Sequence, residues 1–462
     1  MAAAQRSAPF TALNGDVNMY ELTGEPGQGW RTVECASKKA YGCGDLGQEV
    51  VESLRLYTRH GDYPLLTSSL AIRTSDDAVR SIGAELVVVA TRKNKTPGLC
   101  VQAVGTILQV TDERLICIML VFHNEYLTTN LVYYLVYDDV DASLSLIKYL
   151  QDHHKAACTQ TPALNRVSDV VGGSGYELVL PARCINDGDQ GVLYMCTPES
   201  ITANPSSTAD MDPWKLKGWR FPEEVEQPFS ADLVFTFKGK AFWVDFSQGC
   251  LMYCDPHTTC GAGAFVNFFS IKLPPECELD LYAVSDDEPI EMVRTMGCVG
   301  DSIWLVCIHR CNNHNCADDY LTIWSLNLAE RRWKQEARKS ARMIWGLVGF
   351  KNAGLPEVIL DYPVLTADGA LCLVLPDPRL EDASDEYGPV VERICCIDVR
   401  RWEVLWHGRV HDYHTTSPVV MPSDFFRGQR VLSKEDVSRA SSSGIRLKLA
   451  GLLAVLLPRN FK

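Results

Sequence analysis

Short apolar runs separated by turn residues punctuate this chain, the pattern of a β-rich protein. Between residues 80 and 140, the runs 85–91, 98–104, 114–122 and 130–137 are rich in β-branched and aromatic side chains. Each predicts a strand. Asp138-Asp139-Val140-Asp141 then predicts a turn into one more. The same texture returns at 176–180, 191–196, 214–220 and 231–237. Helical spacing shows at one place. Leu46, Val50, Leu54 and Tyr57 fall at i, i+4, i+8 and i+11, predicting a helix over 43–57. Residues 1–30 show little periodicity and predict a loose arm. Polar stretches at 202–210, 376–390 and 433–444 predict loops or linkers.

Three segments share a plan of turn, apolar strand and a strand bearing Trp. The first runs through Phe237-Lys-Gly239 and Trp243. The second runs through Val299-Gly-Asp301, Trp304, Trp324 and Trp333. The third runs through Ala367-Asp-Gly369, Asp398, Trp402 and Trp406. A unit of this kind leaves apolar faces uncovered, so neighbours must stack on it. The expected fold is mainly β, a propeller-like repeat of antiparallel sheets with a short helical N-terminal segment. A pair of β-sandwiches is the alternative. The expected organisation is an arm with a helix over 1–75 and a β-rich body over 76–430. A Ser-rich linker with an apolar C-terminal segment follows over 431–462.

Composition adds limits. The 462 residues carry a net charge of −14, which disfavours broad contact with nucleic-acid phosphates. The basic run Arg331-Arg332-Trp333-Lys334 is short and reads as one solvated strand edge. The start of the chain lacks an apolar leader, and the longest strongly apolar run, 449–457, is too short to span a bilayer. A cytoplasmic or nuclear location is therefore expected, and the 18 cysteines read as buried free thiols.

At 229–249 and 298–308 the sequence resembles the plant "domain of unknown function 1618" family, which is expanded in grasses. The strings Phe229-Ser-Ala-Asp-Leu-Val-Phe-Thr-Phe-Lys-Gly-Lys-Ala-Phe-Trp-Val-Asp-Phe and Cys298-Val-Gly-Asp-Ser-Ile-Trp-Leu-Val-Cys-Ile carry the resemblance. Trp324-Ser-Leu-Asn-Leu, Ala353-Gly-Leu-Pro, Tyr362-Pro-Val-Leu and Tyr134-Leu-Val-Tyr-Asp support it. The resemblance spans about 130–415. It implies a plant protein with a propeller-like body, a role in protein interaction and no catalytic residues to transfer. An F-box helix pair, present in some relatives of similar architecture, finds only a faint echo at 45–56.

Motifs that carry chemistry are weak. Cys307, His309, Cys311, His314 and Cys316 crowd one loop, but zinc would need all its ligands from that loop. Cys254, His257 and Cys260 lie in a second short cluster. Gly172-Gly-Ser174-Gly175 has the wrong order for a nucleophile elbow. Gly42-Cys-Gly44-Asp-Leu-Gly47 matches a dinucleotide-binding string without its strand–helix context. The acidic groups Asp286-Asp287-Glu288 and Glu381-Asp382 read as solvated loops. Trp243, Trp304 and Trp324 are expected in the core, with Trp402 and Trp406 near a rim. No catalytic, cofactor or metal residues are assigned. The expected function is a non-catalytic scaffold binding another protein, with no nucleic acid and no membrane span. A hydrolase with a loop-built site and a zinc-stabilised module at Cys307–Cys316 are the alternatives.

Overall fold

The structure is a computed structural model. It describes residues 10–61, 67–91, 101–124, 130–150, 155–167, 175–184, 187–198, 212–226, 228–260, 265–277, 289–311, 315–376, 391–411, 419–422 and 424–426. The segments read above as 202–210, 433–444 and 449–457 lie outside them, as do Gly172–Ser174, Asp286–Glu288 and Glu381–Asp382.

The chain is mainly β. Its first strands are β1 (Phe10–Leu13), β2 (Asp16–Val17), β3 (Arg31–Thr32), β4 (Ser37–Tyr41), β5 (Arg55–His60) and β6 (Thr67–Arg73). Next come β7 (Gln102–Val110), β8 (Leu115–His123), β9 (Asn130–Asp138) and β10 (Ser143–Lys148). Then follow β11 (Lys155–Ala157), β12 (Ala163–Val167), β13 (Gly175–Cys184), β14 (Asp187–Cys196) and β15 (Lys215–Arg220). After these come β16 (Leu233–Phe237), β17 (Lys240–Asp245), β18 (Cys250–Cys260) and β19 (Phe265–Lys272). Two sheets of identical order close the series. The first is β20 (Arg294–Val299), β21 (Ser302–His309), β22 (Tyr320–Asn327) and β23 (Arg332–Ser340). The second is β24 (Asp361–Leu365), β25 (Ala370–Leu375), β26 (Val391–Asp398) and β27 (Glu403–His411). The last strand among the described residues is β28 (Val419–Pro422).

These strands form a propeller-like ring of largely antiparallel sheets. One sheet has the order β28-β1-β6-β5-β3, and a second has β2-β7-β8-β9-β10-β4. The nine-stranded sheet divides into β11–β15 and β16–β19, joined by two parallel pairs only, Gly218 with Phe265 and Trp219 with Val266. With that division the ring has six units, and the core agrees. Six apolar clusters are buried, one at each junction between successive units. Leu144 and Leu54 share one, Leu115 and Leu178 the next, and Ile323 and Leu373 another further round. The sixth brings Ala12 of β1 against Cys372 and Ile394, which closes the circle.

Side-chain alternation explains why each sheet is apolar on both faces. Ala370–Leu375 is buried at every position, because each of its faces meets a neighbouring unit. The repeat hairpins turn where the sequence allows positive φ. Lys238-Gly239 sits at φ 50° and 72°, the twist a two-residue hairpin needs. Gly191 has a different duty. A Cβ there would stand 2.4 Å from the Trp219 ring, which stacks on Phe268 at 3.9 Å.

Three local expectations give way. Residues 10–17 are strands β1 and β2 instead of a loose arm. Phe10 to Leu13 pair with β28, Ala12 and Leu13 also pair with β6, and the surrounding sheet supplies the order that their own pattern lacks. The helix predicted over 43–57 ends as α1 (Gly44–Ser53), since Leu54 is extended and the chain pairs with β6 from Arg55. The run 85–91 is not a strand but the second half of α2 (Asp76–Thr91). Ser75 Oγ accepts from the Ala78 N–H, Asp76 and Asp77 occupy the first turn, and Ala78, Ile82 and Leu86 bury one stripe. That stripe outweighs the strand propensity of Val87 to Val89.

Candidate functional site

Six strands, one from each unit, line the centre of the ring. They are β7, β12, β16, β20, β24 and β28, and they enclose a cavity of about 850 Å³. Their backbones are hydrogen-bonded on the outer side, so their inward side chains are held by the sheets behind them.

Four carboxylates, Asp112, Glu113, Asp232 and Glu291, stand in this wall. Asp232 precedes β16, and its Oδ2 accepts from the Phe246 N–H at 2.7 Å. The protein around it desolvates the carboxyl, while Asp245 and Glu291 repel its charge. Its pKa rises to about 6 despite the Phe246 hydrogen bond. Asp112 and Glu113 follow β7, and burial with the charges of Glu113 and Asp368 raises Asp112 as well. Two of the three cations of the wall are engaged elsewhere, and the third is Arg294. Arg166 grips Asp138 through two hydrogen bonds of 3.0 and 2.9 Å, and Lys238 pairs with Asp301 at 3.1 Å. Tyr362 holds φ at 42°, beside a bulge in β24, a costly conformation for a residue with a Cβ.

The outer rim has the opposite charge. β23 is the free edge of its sheet, and Arg331, Arg332, Lys334 and Arg338 are exposed on or beside it. Arg331 lies over Phe269 at 4.7 Å and Arg338 over Tyr320 at 4.0 Å. Lys339 reaches the Trp402 ring of the next sheet at 5.1 Å. Among the described residues, Arg331, Arg332, Arg338 and Lys339 have no carboxylate partner within salt-bridge distance. Two short helices, α3 (Ala341–Trp345) and α4 (Val348–Asn352), continue this edge. They carry Arg342 and Lys351 with exposed Met343 and Val348.

The residues singled out in the sequence fall in separate places. Cys307 is buried on β21, His309 bonds Thr322 Oγ1 at 3.0 Å, and Cys311 Sγ donates to the Asp318 carbonyl. His314 lies outside the described residues. Among the described residues, no three His, Cys, Asp or Glu side chains converge as a metal would need. His257 leaves Cys254 in the core and pairs with Glu177 at 2.9 Å. The glycines at 42 and 44 adopt positive φ at the start of α1, and Gly47 packs on Cys43, a turn into a helix. Trp243 and Trp304 are buried, while Trp324, Trp402 and Trp406 are half-buried. The cavity acids Asp112, Asp232 and Glu291 gave no sequence signal, because they converge only through ring closure.

Residues 243–372 match a family model described as "Protein of unknown function (DUF1618)". That region runs from β17 into β25. No curated protein sequence matches the chain. Among solved structures, the chain is similar to the WD40 domain of SCAP from fission yeast at 8% identity. That match covers 81% of this chain and 74% of that one, with a TM-score of 0.29. It is also similar to a subtype N11 neuraminidase-like protein of A/flat-faced bat/Peru/033/2010 (H18N11) at 9% identity. There, 89% of this chain and 96% of that one are covered, with a TM-score of 0.25. Among the described residues, no helix is long and apolar enough to cross a membrane.

Proposed function

We infer that this protein is a non-catalytic interaction scaffold that holds an acidic, extended segment of a partner protein along β23. The observation that carries the reading is the free basic edge of that strand in a chain of net charge −14. An edge strand offers unpaired N–H and C=O groups to an added strand. Arg331, Arg332 and Arg338 supply the countercharge for glutamates and aspartates on it, while Lys334 is held by Glu336 at 3.0 Å. A polyphosphate chain lacks backbone groups for the ladder.

A fluorescein-labelled peptide of alternating glutamate and valine tests this by anisotropy with the full chain. Saturable binding that weakens with salt and is lost in Arg332→Glu/Lys334→Glu supports the reading. Equal binding by the variant, or tighter binding of an oligothymidylate, refutes it.

A second reading rests on the cavity. A carboxyl raised to about 6 near Glu291, in a cavity that also holds Tyr362 at positive φ, is a group that general acid–base hydrolysis uses. A cationic dye displaced from the cavity on Asp232→Asn favours a ligand site there. Unchanged dye binding counts against it.

A further inference from the structure

A buried arginine without a carboxylate needs another counter-charge, because guanidinium does not deprotonate in proteins. Arg294, the first residue of β20, is 6% exposed and stands in the wall of the central cavity. Its Nε and Nη1 have no hydrogen-bond acceptor. Among the described residues, no acid lies within salt-bridge distance of it.

Its own sheet does not neutralise it. Arg294 is the cross-strand partner of Cys307 on β21, Cys307 of Thr322 on β22, and Thr322 of Arg338 on β23. Opposed residues on neighbouring strands project to one face. The guanidinium therefore heads a row made of a thiol, a hydroxyl and a second cation. The hydroxyl is already bonded to His309 at 3.0 Å. The other cations of the wall show the contrast. Arg166 is held by Asp138 and Lys238 by Asp301, acids that lie outside the wall.

The wall has unpaired anions as well. Among the described residues, Asp112, Asp232 and Glu291 have no cationic side chain within salt-bridge distance. Glu291 lies in the 3-10 turn Ile290–Met292, just before Arg294, yet the two do not pair. That turn closes with the Val293 N–H on the Ile290 carbonyl, and β20 begins at the next residue. Glu291 stays with the turn, while Arg294 follows the face of Cys307.

An unpaired cation and unpaired anions, held apart in one wall, are complementary to a ligand that carries both signs. A simple anion meets the repulsion of the carboxylates. A simple cation leaves the guanidinium buried and unneutralised. We propose that the central cavity binds a small zwitterion, an amino acid or short peptide, with its carboxylate on Arg294 and its ammonium beside Asp232 and Glu291. The planar fork of a guanidinium takes a carboxylate through parallel N–H bonds, which fixes the orientation of the ligand. Phe235, Phe237, Met296 and Leu365 add apolar wall for its side chain. The volume, about 850 Å³, falls among those of small-molecule sites, roughly 300–1,000 Å³. The site is one of binding, independent of the peptide edge at β23 and of any hydrolysis at Asp232.

The full chain is screened by thermal shift against the standard amino acids and a set of alanine-containing dipeptides, each at millimolar concentration. The strongest binder is then titrated by calorimetry beside its desamino and decarboxy analogues. For phenylalanine these are 3-phenylpropionate and phenethylamine. The zwitterion is expected to bind at least about tenfold tighter than either analogue. Arg294→Gln weakens the zwitterion about tenfold and leaves the amine unchanged, which also shows that the cavity is intact. Asp232→Asn/Glu291→Gln weakens the zwitterion about tenfold and leaves the carboxylate analogue unchanged or tighter. Either ranking of amino acid and dipeptide supports the site and names its source. Where circular dichroism shows Arg294→Gln unfolded, the zwitterion and its two analogues on the wild-type chain decide. No shift with any zwitterion, an amine that binds as tightly as its zwitterion, or a folded Arg294→Gln that keeps full zwitterion binding or loses both ligands alike each overturns the proposal.

Discussion

The sheets β20–β23 and β24–β27 share strand order, hairpin topology and one apolar core, yet they differ in what they bury. The first carries Arg294, Thr322 and His309 among its thiols. The second buries the acids Asp361 and Glu392 beside its apolar strand Ala370–Leu375. The core between them, around Ile323, Trp345, Leu371 and Leu373, is indifferent to that contrast. A propeller-like unit is specified by the residues that stack on its neighbours.

The largest effects should fall on the shared core and fall equally on both sheets. Ile323→Ala and Leu373→Ala each remove a fully buried side chain and should cost about 2–5 kcal/mol in urea unfolding. Because both empty the same cluster, the double variant should depart from additivity. Destabilisation by only one of them would break the symmetry argued above.

Acid should separate the sheets. Burial with the charges of Arg294 and Arg338 lowers the His309 pKa to about 4. The unfolded chain therefore binds more protons between about 6.5 and 4, so stability is full above that window and is lost as pH falls through it. His309→Gln should remove about 1 kcal/mol of that slope, a figure discounted for solvent screening. Asp232 has the reverse sign. Its folded pKa of about 6 lies above the unfolded value, so its ionisation weakens the fold as pH rises through 4 to 6. Asp232→Asn should raise the melting temperature at pH 7 and leave it unchanged at pH 3.

A smaller effect is expected of Cys396→Val. This thiol acts as a small apolar group in its sheet, so the exchange should cost below about 1 kcal/mol. The smallest belongs to the rim. Lys334→Glu should change stability by no more than about 0.5 kcal/mol while weakening acidic-peptide binding, since Lys334 is exposed.

Much of the body was legible in the sequence. The turns at Lys238-Gly239, Gly300-Asp301 and Asp368-Gly369 mark hairpins because few residues tolerate their backbone angles, and strands must flank them. Strand propensity misled at 85–91, where three consecutive valines sit in α2 and burial of its other face decides. The arm was misread for a related reason. Phe10–Leu13 owes its strand to β28 and β6, which no local window contains. The site was not legible at all. Its wall draws on residues from Gly15 to Val420, and the row Arg294, Cys307, Thr322, Arg338 exists only once three strand registers are set.

The pairing of Phe10 with Pro422 has a consequence for synthesis. A ribosome makes β1 well before β28, so β1 waits for its inner neighbour while the described strands between them are made. Until then the Ala12 flank at one end and the Cys372 and Ile394 flank at the other remain uncovered, although every sheet between them is able to stack. Contacts this distant in sequence are slow to form. The unfinished ring is thus an open arc with two adhesive ends, and a second nascent chain on the same messenger presents the matching pair.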